Sequence, residues 1–77
     1  MRMSRMHLRA RVYDRIVKSK IVVRDVWPTP DGKFLVVRPE DPVDLFTIAE
    51  VLNRMPELTD VRVRPEGFVT ARVKIEN

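Results

Sequence analysis

The chain contains no cysteine, two glycines and one histidine among its 77 residues. Without cysteine, neither disulfides nor thiolate metal sites can form, which excludes the disulfide-rich scaffolds common among small secreted proteins. Both glycines fall in predicted turns, so neither is free for a phosphate-binding loop. The lone histidine, His7, lies in an arginine-rich segment, and a single titrating group is a poor acid–base catalyst unless a carboxylate orients it.

Other catalytic groups are equally scarce. Ser4 and Ser19 are the only serines, and they lie in the terminal segment and in a predicted turn. Three carboxylates cluster at Glu40, Asp41 and Asp44, but their spacing matches no calcium loop. Capping of a helix N-terminus explains Asp41 and Asp44 without a metal. We therefore expect a protein that is not an enzyme and that uses no cofactor and no metal.

Long apolar runs are missing too. The longest runs, 21–23 and 34–37, fall far short of the roughly 20 residues that span a bilayer. Arginines interrupt every candidate for the apolar part of a secretory signal. We expect no membrane contact and take the cytoplasm as the location. The length predicts one small domain over 1–77, and the 44% of apolar residues is normal for a globular chain.

The net charge of +4 is unevenly distributed. Residues 1–24 hold eight arginines and lysines and one acid, whereas residues 25–60 hold three basic and eight acidic side chains. Residues 61–77 hold four basic and two acidic side chains. Such segregation creates a field across a small protein, which bears on its partners more than on its fold.

One helix is predicted over about 42–54. Asp41 suits the N-cap, Pro42 suits the first helical position, and Asp44 occupies the position of the acid in a capping box. Pro56 forces the preceding residue out of helical geometry and so ends the helix. Its apolar stripe follows the helical period and consists of Leu45, Ile48, Ala49, Leu52 and Met55.

Two hairpins flank this helix. The first pairs 21–27 with 33–38 around a turn that contains Asp31-Gly32, and the second pairs 61–64 with 68–75 around 65–67. Both turns share a Pro-acid-Gly pattern followed closely by phenylalanine, which we interpret as two solutions to one turn problem rather than as a duplication.

The N-terminal segment is ambiguous between strand and helix. As a strand, it turns Met6, Leu8, Ala10, Val12 and Ile16 inward and most arginines outward. As a helix, it divides the apolar residues between opposite sides. We favour the strand, although Lys18-Ser19-Lys20 is a poor hairpin turn. The predicted fold is α+β, with one helix on a four- to five-stranded antiparallel sheet in the order β-β-β-α-β-β; the alternative, with a helical N-terminus, is α-β-β-α-β-β.

A basic sheet face follows from this strand assignment. Arginine side chains can neutralise phosphates, and exposed aromatic rings can stack on bases, as on the sheets of several single-stranded RNA binders. The aromatic signature of RNA-recognition motifs is absent, however, and so are helix-turn-helix, zinc-finger and KH patterns. The face that would meet nucleic acid or an acidic partner comprises Arg5, Arg9, Arg11, Tyr13, Arg15, Arg62, Arg64, Phe68, Arg72 and Lys74.

The first hairpin suggests a different function. Both alternating sets of side chains in this hairpin are apolar, which is typical of strands that are buried on both faces. The second face of the hairpin must therefore be covered by other residues or by a partner. The candidate interface comprises Ile21, Val23, Trp27, Phe34 and Val36. On this ground we favour a small protein-interaction module that acts as an accessory or effector by binding a larger partner, with a homodimer as its simplest version. Nucleic-acid binding is the alternative.

Overall fold

The computed structural model describes residues 5–74 and the side chains of residues 7–74. The elements follow one another in the order α-β-β-α-β-β, with a short 3-10 turn before the second helix. They are α1 (Arg5–Lys18), β1 (Val23–Pro28), β2 (Phe34–Pro39), the 3-10 turn Pro42–Asp44, α2 (Leu45–Asn53), β3 (Leu58–Arg64) and β4 (Phe68–Val73). The α+β class predicted from the sequence is confirmed.

The four strands form one antiparallel sheet in the order β1-β2-β4-β3. The second strands of the two hairpins therefore meet at its centre, where Val36 pairs with Thr70. Both helices contribute to a single core on one face of this sheet. The buried core residues are Leu8, Val12, Ile16, Ile21, Val26, Leu35, Val37, Ile48, Leu52, Met55, Leu58, Val69 and Ala71.

The preferred prediction of a strand at the N-terminus is wrong, and the helical alternative is the observed one. Helix α1 buries Leu8, Val12 and Ile16, which lie four residues apart. A spacing of four satisfies the alternation of a strand and also nearly one turn of a helix, so these residues did not distinguish the two. The arginines between them lie outside the core, on the helix instead of on a strand.

Lys18-Ser19-Lys20 ends α1 rather than turning a hairpin. The amide of Lys20 donates to the carbonyl of Val17 at 2.9 Å, and the amide of Ile21 donates to that of Ile16 at 3.4 Å. Lys20 has a φ of 64°, so the segment forms the left-handed C-terminal motif that most often uses glycine. Ile16 and Ile21 are both buried, which supplies the apolar contact usual in this motif.

The helix predicted over 42–54 is confirmed as a 3-10 turn that leads into α2. The Asp41 side chain accepts from the amide of Val43 at 3.0 Å, as expected of the N-cap. The capping-box role of Asp44 is wrong, since its side chain makes no capping hydrogen bond. The predicted apolar stripe packs against the sheet, with Ile48 and Leu52 buried in the core.

The first hairpin turn is built by local hydrogen bonds. The carboxylate of Asp31 accepts from the Thr29 hydroxyl at 2.6 Å and from the Lys33 amide at 2.9 Å. These bonds, the hydroxyl first, lower the pKa of the Asp31 carboxyl below its ordinary value of 3.8. Gly32, with a φ of 72°, supplies the left-handed position that the turn requires.

Both outer strands of the sheet are irregular. The register of β1 on β2 shifts between Val23 and Asp25, and that of β3 on β4 shifts between Thr59 and Arg62. In β3 the irregularity includes Asp60, whose φ is 52°. Each edge of the sheet therefore carries a bulge. Among the described residues, no helix is long and apolar enough to cross a membrane.

Candidate functional site

One face of the sheet has no helix on it in the described range, because α1 and α2 both pack on the other face. Along the regular parts of the strands, the residues that alternate with core positions lie on this side. We call it the open face. It carries three aromatic side chains, four arginines and two small central residues, namely Trp27, Phe34, Phe68, Arg38, Arg62, Arg64, Arg72, Val36 and Thr70.

The centre of the open face is closely packed although no helix within residues 5–74 covers it. One row runs across all four strands, in which Trp27 pairs with Val36, Val36 with Thr70, and Thr70 with Arg62. Val36 is 8% exposed and Thr70 9% exposed. The large side chains around this pair therefore shield it from water, with the Arg64 Nε donating to the Thr70 hydroxyl at 3.3 Å.

Guanidinium groups lie over two of the aromatic rings. The Cζ atom of Arg38 is 5.4 Å from the centroid of the Trp27 ring, and that of Arg72 is 6.0 Å from the centroid of Phe34. Cation–π contacts at such distances contribute about 0.5–1 kcal/mol each at exposed sites. The second face of the first hairpin is thus partly covered by arginines of this chain. This cover weakens the argument that the hairpin needs a protein partner.

The two central strands repeat one pattern on the open face. Phenylalanine begins each strand and arginine follows four residues later, giving Phe34 with Arg38 and Phe68 with Arg72. In the register of β2 and β4, Phe34 pairs with Arg72, and one further step brings Phe68 opposite Arg38. The two halves of the open face are therefore related by an approximate twofold axis through the pair of Val36 and Thr70.

The three aromatic rings are spread over three strands of the open face. Trp27 lies one strand across and two residues along from Phe34, which corresponds to about 8 Å between their backbones. Phe68 lies one strand across and four residues along from Phe34, which corresponds to about 14 Å. Rings that contact each other have centroids about 4.5–7 Å apart, so Phe34 and Phe68 offer separate surfaces to a ligand.

The open face is strongly basic. Against its four arginines stands Asp25, which pairs in register with Arg38. Asp60 accepts from the Arg62 Nε at 3.0 Å at the edge of β3. Both groups of this ion pair are substantially exposed, and such pairs contribute little net energy in water. A basic surface with separated aromatic rings can bind polyanions that carry flat, stackable groups.

The structure divides the basic face predicted from the sequence between the two sides of the sheet. Arg62, Arg64, Phe68 and Arg72 lie together on the open face, and Lys74 follows the end of β4. Four other members lie on α1, on the opposite side of the sheet, because the segment is a helix: Arg9, Arg11, Tyr13 and Arg15. Arg5 is the first residue of α1, and its side chain lies outside the described residues.

Two of the arginines on α1 contact other elements of the fold. The Arg9 Nε donates to the carbonyl oxygen of Val26 in the outer strand β1. Arg11 forms an ion pair with Glu57, with 2.5 Å between Nη1 and Oε2. Both side chains therefore tie α1 to other elements of the fold.

The predicted apolar interface is also divided. Ile21 and Val23 lie on the helix side, where Ile21 is buried and Val23 packs against the core. Trp27, Phe34 and Val36 lie on the open face. Arg38 was missed entirely as a site residue. The sequence pattern could have identified it, because Arg38 lies on the same side of its strand as Phe34, and the residues that alternate with them are buried.

Among the described residues, no group of three or more histidine, aspartate or glutamate side chains is placed to hold a metal ion. Comparison of the chain with protein-family models, with curated proteins and with solved structures found no match. The function is therefore inferred from the geometry of the open face.

Proposed function

We propose that this protein binds single-stranded nucleic acid on its open face. The observation that carries the proposal is the combination of three aromatic rings, one on each of three strands, with four arginines on a sheet face that carries no helix within residues 5–74. Arginines supply sequence-independent attraction to phosphates, and aromatic rings supply stacking of about 1–3 kcal/mol per base. The dimensions of a four-stranded sheet suit two or three stacked bases.

A single strand fits this surface better than a duplex does. In a duplex the bases stack on one another, so their flat faces are not available to Trp27, Phe34 or Phe68. Unpaired bases can stack on Phe68, and they can stack on Trp27 and Phe34 by taking the place of the guanidinium groups that lie over those rings. The displaced guanidinium groups then lie close enough to contact phosphates. The approximate twofold axis supplies two equivalent pairs of phenylalanine and arginine for this purpose.

Trp27 offers a direct assay, because it is the only tryptophan in the chain and lies on the open face. The protein is titrated with a 12-nucleotide oligothymidylate and with a duplex of equal length, at about 50 mM salt, where phosphate contacts are strong. We expect the single strand to change the Trp27 emission saturably and to bind more tightly than the duplex. Absence of any binding to the single strand at this salt concentration refutes the proposal.

Phenylalanine variants locate the site, and the chain provides a matched control. Phe34→Ala and Phe68→Ala each remove one ring from the open face, so each should weaken binding by about 5- to 150-fold, the equivalent of about 1–3 kcal/mol. Phe46, 72% exposed on α2, lies on the helix side of the sheet. Phe46→Ala should leave the affinity unchanged. Equal losses in all three variants would contradict binding at the open face.

An acidic protein is the competing ligand of a basic surface. Polyglutamate of similar length tests it, because this polymer offers charge without rings that can stack. Two results together would replace the nucleic-acid proposal by an acidic protein partner. Polyglutamate would displace the oligonucleotide at equal charge concentration, and Phe34→Ala would leave the affinity for polyglutamate unchanged. The expected protein-interaction module remains a second proposal, favoured by the exposed apolar side chains on the outside of α1.

A further inference from the structure

Helix α1 is apolar on two sides, and only one of them is used by the core. Leu8, Val12 and Ile16 face the sheet and are buried. On the outer side Tyr13 is 51% exposed and Val17 45% exposed. Together with the exposed Ala10, they line a surface groove on the helix, which we call the α1 seam.

The spacing of the α1 seam is that of a helix-packing surface. Ala10, Tyr13 and Val17 are separated by three and then four residues, the alternation that two packed helices use at their contact positions. Apolar residues at this spacing form a narrow stripe that suits another helix.

Charges flank the α1 seam with opposite signs. Arg9 precedes Ala10 on one side, and Asp14 follows Tyr13 on the other. In a parallel pair of helices, a side chain on the Arg9 side of one stripe faces a side chain on the Asp14 side of the partner's stripe, five positions further along the sequence. Arg9 and Asp14 are five residues apart, so two symmetric copies would form this ion pair twice. An antiparallel pair would instead place like charges together.

We propose that a second copy of this chain docks on the α1 seam, with the two α1 helices parallel about a twofold axis. Complementary charge identifies the occupant, because the flanks of the α1 seam match each other in this arrangement. The Arg9 Nε contact with the Val26 carbonyl holds the guanidinium beside the seam, and the remaining N–H donors of the group can reach a carboxylate. The exposed ion pair of Asp14 with Lys18, 3.0 Å long, is compatible with a second partner.

The dimer is independent of the proposed nucleic-acid site, because the α1 seam and the open face lie on opposite sides of the sheet. Either proposal can therefore fail alone. Oligonucleotide titrations report on the open face, and measurements of mass without nucleic acid report on the α1 seam.

Sedimentation equilibrium of the intact chain tests the dimer. Protein concentrations extend to about 1 mM, where a dissociation constant of the same order still gives substantial dimer. We expect a monomer–dimer equilibrium that Tyr13→Ser shifts at least tenfold towards monomer. Val43→Ser, which alters another exposed apolar residue outside the α1 seam, serves as the matched control and should change nothing.

Charge exchange tests the parallel geometry. Asp14→Arg should weaken the dimer by placing arginines opposite each other, and R9D should weaken it by placing carboxylates opposite each other. The double variant R9D/D14R restores opposite charges in the parallel pair and should recover the dimer. Thermal melts confirm that each variant folds, because R9D also removes the contact with Val26.

Three outcomes would overturn the proposal. They are a monomer at every concentration for the wild-type chain, a dimer that Tyr13→Ser leaves intact, and a double variant that stays as weak as Asp14→Arg. The first two reject the α1 seam as the interface, and the third rejects the parallel arrangement.

Discussion

The salt dependence of oligonucleotide binding can be worked out from the four arginines of the open face. For single strands, each neutralised phosphate lowers the logarithm of the association constant by about 0.7 per decade of salt. Four phosphate contacts thus give a slope of about −2.8, or a loss of roughly 50-fold between 50 and 200 mM salt. We expect the wild-type protein to approach this slope.

The double variant Arg62→Gln/Arg72→Gln removes the two most exposed of these charges. The slope should fall to about −1.4, and the affinity at 0.1 M salt should drop by about 25-fold, because two counterion-release terms are lost. The difference should shrink as the salt concentration approaches 1 M. Fluorescence titration of Trp27 over a series of salt concentrations gives both the slope and the affinity.

The matched control is Arg15→Gln/Arg54→Gln, which removes the same charge from the helix side of the molecule. Its net charge equals that of the test variant, so a general effect of charge would appear equally in both. A slope that changes by the same amount in the two variants would refute the assignment of phosphate contacts to the open face. A slope near −2.8 in the Arg62→Gln/Arg72→Gln protein would refute it too.

Three further predictions concern the fold. Val12→Ala should destabilise the protein by about 2 kcal/mol in urea denaturation because Val12 is fully buried, whereas the exposed Val22→Ala should stay within about 0.5 kcal/mol; equal effects would contradict the helical register of α1. Lys20→Gly should stabilise by about 0.5–1 kcal/mol by removing left-handed strain, and a loss would contradict the C-terminal motif. NMR titration should place the pKa of the Asp31 carboxyl below 3.8, with Thr29→Val raising it; since this pKa is depressed by folding, its contribution to stability is present above the unfolded value and disappears as the pH falls through the folded one.

The second half of the chain was predictable because its signals agree with one another. Asp41, Pro42 and Pro56 fix the limits of the helical segment, and strict alternation in 61–73 assigns each side chain of the second hairpin to a face. Propensity, turn chemistry and periodicity all indicate the same structure there, which is when a sequence is most readable.

The first segment was mispredicted because its signals conflict. The residues at 8, 12 and 16 fit both a strand and a helix, and Lys20 takes a backbone conformation that its type rarely adopts. A glycine at position 20 would have marked the end of a helix. The absence of good turn residues at 18–20 argued against a strand. The alternation of apolar and polar residues before it nevertheless favoured one.

The open face was predicted in part for a related reason. The alternation of side chains within the second hairpin placed the arginines of β3 and β4 on the correct face, since it does not depend on the N-terminal segment. Which strands lie next to each other at the centre of the sheet depends on tertiary packing. The pairing of β2 with β4, which brings Trp27 and Phe34 beside those arginines, was therefore out of reach.

The bulges in the two outer strands have a consequence for behaviour at high concentration. A regular outer strand presents a row of unpaired backbone groups on which another chain can extend the sheet and start a fibre. Here β3 is interrupted around Asp60, and in β1 the Val26 carbonyl is already bonded to Arg9. Both edges of the sheet are therefore poor templates for edge-to-edge polymerisation, which leaves self-association to surfaces made by side chains.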